Sequence, residues 1–451
     1  MAETKSANTI ARARVEDLAL RHGEPNWLKE SRLSVWESYL NTPMPTSRDE
    51  EWRRTDISAV DPSALTTADF GEVGTARPAL PAWFEPVAGS SANPAGIFFQ
   101  ATGSAGYLAI DPEIARQGVI FCDIKTAVEK HEEKIRPYLE GRAGRQADGK
   151  FDLLNRALFN CGAFLYVPAG LSIEAPFVSG VGFGKAPEGE GGGAIFPRLI
   201  VVAGAGASVK VLHAVGSDGA GRQATSLSSS LSEVYVGEGA TVSFLEIQAF
   251  ADDILSIAKT HNEVMRDGSF RSLSAALGGK QTKADIATFL MEPGAHSDVL
   301  GLVLGGGSEQ YNFNTIQGHG AHDTTSNINF RVALKDASTS VYQGIIKVDK
   351  VAQRTNAFQS NKNLLLGTEA RADSIPKLEI LADDVKCSHG ATVGPVDREQ
   401  VFYLMSRGLT LPQAEEFIVV GFFKQVLEEF AESYPTEWLA EQFSRKIHET
   451  R

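Results

Sequence analysis

The sequence predicts a mainly β protein: a parallel β-helix core flanked by N-terminal and C-terminal α-helical domains. Three observations lead there. From about Cys161 onward, short apolar stretches of period two recur, separated by Gly, Asp, Asn and Ser, which is the pattern of strands and turns. Within that region a turn-type residue followed by Ala recurs at Gly206-Ala207, Gly239-Ala240, Gly294-Ala295, Asp336-Ala337, Glu369-Ala370 and Gly390-Ala391, at intervals near multiples of 11. On either side of the region the periodicity is helical. A period of about 22 fits a solenoid coil of two or three short strands, with small and β-branched side chains inward and a turn-forming residue at each corner. A sandwich would need hairpin turns at short, irregular intervals, and Asn-Gly turns are absent. The expected divisions are a mainly helical N-terminal domain over residues 1–155, the β-helix over 156–394 and a helical C-terminal domain over 395–451.

Bulk properties narrow the function. A chain of 451 residues is long for one compact core, so several domains or a repeat array are expected. Hydrophobic residues make up 43% and charged residues 22%, a soluble globular composition. The formal net charge of -13 repels phosphate backbones, which argues against a nucleic-acid partner. Residues 1–20 contain acids and no apolar core of a secretory signal, and the apolar run 417–423 is too short to span a bilayer. Membrane association is therefore not expected. Three scattered cysteines without a CxxC pair form no disulfide framework and fit a reducing, cytoplasmic setting.

In chain order, residues 26–40 carry Trp27, Leu28, Leu33, Trp36, Tyr39 and Leu40 near helical spacing, and Pro43 and Pro45 stop that helix. The run 48–54 is mixed charge around Trp52, the pattern of a solvated face with one aromatic anchor. Residues 61–120 give little signal. Helical character returns over 123–160, where Ile124, Val128, Ile135 and Leu139 stand in a charged background. Core strands are expected around 199–202, 209–212, 234–236, 242–247, 299–304, 328–334, 341–348 and 364–366. The Gly-rich stretch 182–193 lacks the closing Gly-Lys-Ser/Thr of a P-loop and reads as a surface loop. Gly279-Lys280-Gln281 fails the same test, so no Walker-type ATP site is expected in this chain. After Gly394, Asp397 and Gln400 open a helix that Gly408 ends, and Thr410-Leu411-Pro412-Gln413 forms a second capping box. The helix that follows is apolar on more than one face, with Phe417, Val419, Phe422, Phe423, Val426 and Phe430. Such a helix either packs into a helical hairpin or offers part of its surface to another subunit.

The chemistry concentrates at Asp383-Asp384-Val385-Lys386-Cys387-Ser388-His389. Residues two apart in a strand share a face, so Val385, Cys387 and His389 line up, with the Cα atoms of 387 and 389 roughly 6.6 Å apart at ~3.3 Å per residue. A thiolate and an imidazole at that spacing can meet one metal ion, and suit zinc or iron with sulfide. Two ligands are half of a closed site of about four. A cysteine sharing a face with Val385 is equally suited to core packing. The residues leave both readings open: a packing cysteine, or a half-site that a partner completes. His319-Gly320-Ala321-His322-Asp323 reads as a turn rather than a metal site. Cys122 and Cys161 read as packing residues, His213 and His261 lie without partners in strand-like segments, and no GxSxG or HExxH motif occurs.

The stretches FQSNKNLLLGTEARADSIPKLEILADDVKCSHGATVG (358–394), FYLMSRGL (402–409) and EPNWLKESRLSVWESYLNTPMPTSRDEEWRRTDIS (24–58) resemble the SufB/SufD family of the SUF iron–sulfur cluster assembly system. With the repeat between them, the resemblance covers most of the chain. Cys-Ser-His-Gly-Ala-Thr-Val-Gly and the scarcity of cysteine resemble the SufD branch more than the SufB branch. The resemblance implies that the β-helix is right-handed and pairs with that of a SufB-like scaffold subunit. It implies that the C-terminal helices dock a SufC-like ABC ATPase. It also implies a transient iron–sulfur cluster, or iron, at the SufB–SufD interface, with His389 a candidate iron ligand and Cys387 at the motif's cysteine position. The protein would then be a non-enzymatic assembly subunit that leaves ATP to a partner, with homodimers open to it in isolation. Two alternatives compete. A SufB-like main cluster scaffold would hold a stable cluster alone. A β-helix carbohydrate-active enzyme would need a groove of carboxylates and arginines, and no such constellation stands out.

Overall fold

Two long parallel sheets, stacked in register, dominate the computed structural model, which describes residues 10–58, 61–140, 149–185, 192–218, 225–431 and 436–448. The first sheet runs from Ile120–Asp123 through Cys161–Val167, Pro197–Ala203, Ser226–Val236, Ile254–Val264, Gln281–Leu290, Gln310–His319 and Thr339–Val348 to Arg371–Ile380. The second runs from Val73–Gly74 through Gly106–Ile110, Gly96–Ala101, Phe177–Phe183, Ser208–Ser217, Thr241–Ala249, Ser269–Ala276, His296–Gly305, Thr325–Leu334 and Thr355–Leu365 to Val385–Pro395. From Pro197 onward the strands on these two paths go to the two sheets alternately. Each pairs in parallel with the strand two places on, as in a β-helix. Residues 61–120, weak in sequence signal, supply the early strands of the second sheet.

The coil is longer than the sequence period suggests. His296 pairs with Thr325 and Thr325 with Asn356, while Gln310 pairs with Thr339 and Thr339 with Arg371, so one coil takes about 30 residues. The physical reason is that a coil has two corners. Gly206, Gly239 and Gly294 lie at the corner before second-sheet strands, Asp336 and Glu369 at the corner before first-sheet strands, and Gly390 lies inside a strand. Read as one series, two interleaved corners give a false, shorter period. The first corner is left-handed backbone: φ is 67° at Gly206, 62° at Gly239 and 76° at Gly294, with Asp267 at 52° and Asp323 at 58°. Glycine takes that conformation without steric cost, and aspartate tolerates it better than most residues.

Inside the coil, inward columns such as Phe177, Val211 and Phe244 stack strand upon strand. Both outer faces are covered. Helices Asn26–Asn41 and Lys150–Leu158 press Val35, Trp36, Phe151, Leu154 and Leu158 onto Leu227, Leu255 and Ile257 of the first sheet. Helices Leu411–Ala431 and Glu437–His448 press Val419, Phe423, Phe430, Leu439 and Phe443 onto Leu245, Leu273, Leu300 and Leu302 of the second. The segment around Trp52 is anchored rather than only solvated: Trp52 stacks on Phe151 at 5.6 Å, and Arg54 pairs with Asp373 at 2.8 Å. The expected caps form, with Asp397 Oδ1 accepting from Glu399 N at 2.9 Å and Gln413 Oε1 accepting from Thr410 N at 2.9 Å. Residues 1–9 of the N-terminal stretch and 186–191 of the Gly-rich stretch lie outside the described residues. Among the described residues, no helix is long and apolar enough to cross a membrane.

Candidate functional site

The motif lies on the last strand of the second sheet, Val385–Pro395, where the coil ends. Among the described residues this strand is paired on one side, with Thr355–Leu365. The last strand of the first sheet, Arg371–Ile380, is likewise an edge. Apolar side chains around these edges are uncovered: Phe358 and Val393 are each 46% exposed and Leu381 65%. A strand edge presents unpaired N–H and C=O groups, and an edge with exposed apolar side chains is a pairing surface unless something blunts it.

Register fixes which way the motif faces. Ala357 pairs with Cys387 and Gln359 with His389. Ala357, Gln359, Asn361 and Asn363 are the buried positions of their strand, so Val385, Cys387, His389, Ala391 and Val393 continue the inward columns. Val385 and Cys387 pack against the cluster of Ile346, Val348, Ala352, Ala357 and Ala382. His389 shares that face but is exposed, because no further coil covers it. Burial pushes the Cys387 thiol up, and a backbone hydrogen bond at Ala357 only partly opposes this. The thiol is therefore protonated at neutral pH, and a metal ion would have to displace that proton to use it. The turn before the strand is held by backbone: Arg354 N donates to Asp384 O at 2.6 Å, and Asp384 N donates to Gln353 Oε1 at 2.9 Å. Asp383 and Asp384 are exposed turn residues.

The other singled-out residues are accounted for by packing. His319 is buried between Thr324 Oγ1 at 2.8 Å and Ser326 Oγ at 2.9 Å, and burial lowers its pKa to about 4. His322 and Asp323 form the turn, with Arg354 Nε donating to Asp323 Oδ1 at 2.6 Å. Burial raises Cys122 to about 12 and Cys161 well above the usual thiol value. His213 is buried against Ser179 at 3.2 Å, with its pKa lowered by burial to about 4. His261 does have a partner, Glu263 Oε1 at 3.1 Å. Among the described residues, no three His, Cys, Asp or Glu side chains converge on one metal position. Cys387 and His389 thus place two donor types that suit iron with sulfide on one face of an edge strand.

Sequence reasoning missed the layer directly beneath. Gln359, Asn361 and Asn363 point into the coil, and Ser374 faces them from the first sheet. The signal was present as polar residues at period two in Gln359-Ser360-Asn361-Lys362-Asn363. Without the register, an inward polar row looks the same as an outward one.

Two family profiles match the chain. One is described as "SUF system FeS cluster assembly, SufBD core domain" over residues 186–422, the other as "SufBD protein N-terminal region" over 107–178. The chain is 28% identical to an iron–sulfur cluster assembly SufBD family protein of Staphylococcus saprophyticus, over 95% of this chain and 90% of the relative. It is 28% identical to the iron–sulfur cluster assembly protein SufD of Bacillus subtilis, over 95% of both chains. It is 27% identical to a SufBD family protein of Staphylococcus aureus, over 95% of this chain and 90% of the relative.

Proposed function

The chain belongs to the SufBD family of the SUF iron–sulfur cluster assembly system, and on that premise we propose that it is the SufD-like, non-enzymatic subunit of a cytoplasmic scaffold complex. The observation that most supports this is the open last coil, with two unpaired strand edges and the exposed His389 beside the half-buried Cys387. In this proposal a SufB-like subunit pairs along these edges through its own β-helix and supplies the remaining ligands. The iron–sulfur cluster is cargo, built between the subunits, with His389 binding iron and Cys387 lending a thiolate once iron is present. A right-handed coil agrees with the near-universal hand of parallel crossovers. In this proposal the coil, which draws its first strands from before residue 155, does the pairing, and the helical tail after 394 does the docking.

Docking of a SufC-like ABC ATPase on the tail is supported by the apolar side chains left bare there. Phe402 is 72% exposed and Phe417 65%, with Tyr403, Met405 and Leu411 also uncovered. A patch of this kind marks an interaction surface. SufD-like rather than SufB-like behaviour is supported by the cysteines: two of three are deeply buried with raised pKa values, which leaves few thiolates to hold a cluster. The same coil edges would allow a homodimer in isolation.

Co-expression with SufB-like and SufC-like proteins tests the assignment. One complex of all three holding iron and sulfide is expected, while the isolated chain reconstitutes no stable cluster. A stable cluster on the isolated chain would make it a SufB-like scaffold instead.

A further inference from the structure

We propose that Gln359 is a positioning residue for His389: its amide oxygen accepts the Nδ1–H of the imidazole and so leaves Nε2 as the metal-facing donor. This rests on the reading of His389 as an iron ligand.

Gln359 and His389 are direct neighbours across parallel strands and share the inward face, about 4.8 Å apart along the coil axis. One and two coils earlier the same column holds Ile328 and Val299. The adjacent columns change in step: Phe330 gives way to Asn361, and Val332 to Asn363. The interior therefore turns from apolar to amide at the layer beneath the motif. Gln359 and Asn361 are each 1% exposed. Yet Gln359 Nε2 and Oε1, Asn361 Nδ2, Asn363 Oδ1 and Ser374 Oγ have no hydrogen-bond partner among the described residues. Asn363 Nδ2 is used, donating to Asn361 Oδ1 at 2.7 Å and to Thr392 O at 3.1 Å.

A buried amide with neither atom bonded is destabilising, and the coil beneath demonstrates that apolar residues fill these columns well. The facing sheet also yields space to it. A Cβ on Gly344 would lie 2.2 Å from Gln359 Nε2, so a larger residue there would push the end of the Gln359 side chain aside. The amide thus abuts a glycine on the opposite sheet and bonds nothing among the described residues. The layer above offers His389, whose ring has no hydrogen bond among the described residues. Turning the ring down onto Gln359 is a rotamer change of an exposed side chain on the last strand of the sheet. The bond to one ring nitrogen decides which nitrogen is left for a metal. Asn361 and Ser374 can be satisfied by water entering from the open end.

The test uses the full-length chain with 15N-labelled histidine, the His389 signals being assigned by their loss in His389→Ala. In the wild type the Nδ1–H tautomer is expected to dominate. In Gln359→Met, which fits where Ile328 and Val299 fit in the same column, the ring should revert to the Nε2–H form that unconstrained histidine favours in water. Gln359→Glu keeps the acceptor and should restore the Nδ1–H form. In the assembled complex, Gln359→Met should lower cluster yield about 10-fold with subunit pairing intact. A tautomer unchanged in Gln359→Met overturns the proposal whatever the yield. A tautomer that shifts while His389→Ala leaves the yield unchanged upholds the contact and removes the iron-ligand reading beneath it.

Discussion

Two histidines are buried without charge partners. His213 and His319 both have pKa values depressed from 6.5 to about 4, because burial disfavours the imidazolium. The unfolded chain takes up protons near pH 6.5 that the folded chain refuses until about pH 4. Stability contributed by the neutral rings is complete above pH 6.5 and is lost as pH falls toward 4. Urea unfolding between pH 7.5 and 4.5 should give a free energy falling with pH, and His319→Gln should reduce the slope by roughly one proton. An unchanged slope would mean that His319 is not neutral when folded. Glu233 behaves differently. Burial alone would raise its carboxyl, but Arg198 at 2.7 Å and Arg156 at 3.2 Å overcome this and hold it at about 2. Its contribution persists down to about pH 4.5 and is lost only between there and about pH 2, below the histidine window.

At the scale of elements, helix Leu411–Ala431 has two uses for phenylalanine. Phe423 is fully buried and meets Phe443 with ring centroids 4.8 Å apart, whereas Phe417 is largely exposed. Phe423→Ala should cost about 3–5 kcal/mol in chemical denaturation. Phe417→Ala should leave the midpoint nearly unchanged and weaken ATPase capture in a pull-down. If Phe417→Ala captures the ATPase as well as the wild type does, the docking surface lies elsewhere. Much of this tail was legible in the sequence, because caps are local: Asp397, Gly408 and Thr410-Gln413 announce their helices whatever packs around them. The coil was legible as a kind but not in its period. Strand alternation revealed parallel β structure, while the two corners carry the same residue types and could not be told apart. The shared face of Cys387 and His389 was visible from their spacing. The amide layer of Gln359, Asn361 and Asn363 was not, because one residue of register exchanges inside for outside.

The whole molecule is a stack capped at one end and open at the other. At the start, Gly96–Ala101 and Gly106–Ile110 pair antiparallel, as do Ile120–Asp123 and Cys161–Val167, which breaks the parallel run. At the finish, Arg371–Ile380 and Val385–Pro395 present bare edges. A β stack that ends in open strand edges can accept another chain. Val393→Lys should leave the thermal midpoint within a few degrees of the wild type and weaken pairing with a SufB-like partner at least about 10-fold, as lysine on an edge opposes strand addition. Undiminished pairing would move the interface away from the last coil. In the proposed complex this edge presents His389 to a cluster that the partner completes. Iron and acid-labile sulfide counted in the purified three-subunit complex, wild type against His389→Ala, test it most directly. An intact complex is expected in both cases, with iron and sulfide together reduced about 10-fold or more in the variant. An intact His389→Ala complex with the wild-type content of both would contradict it.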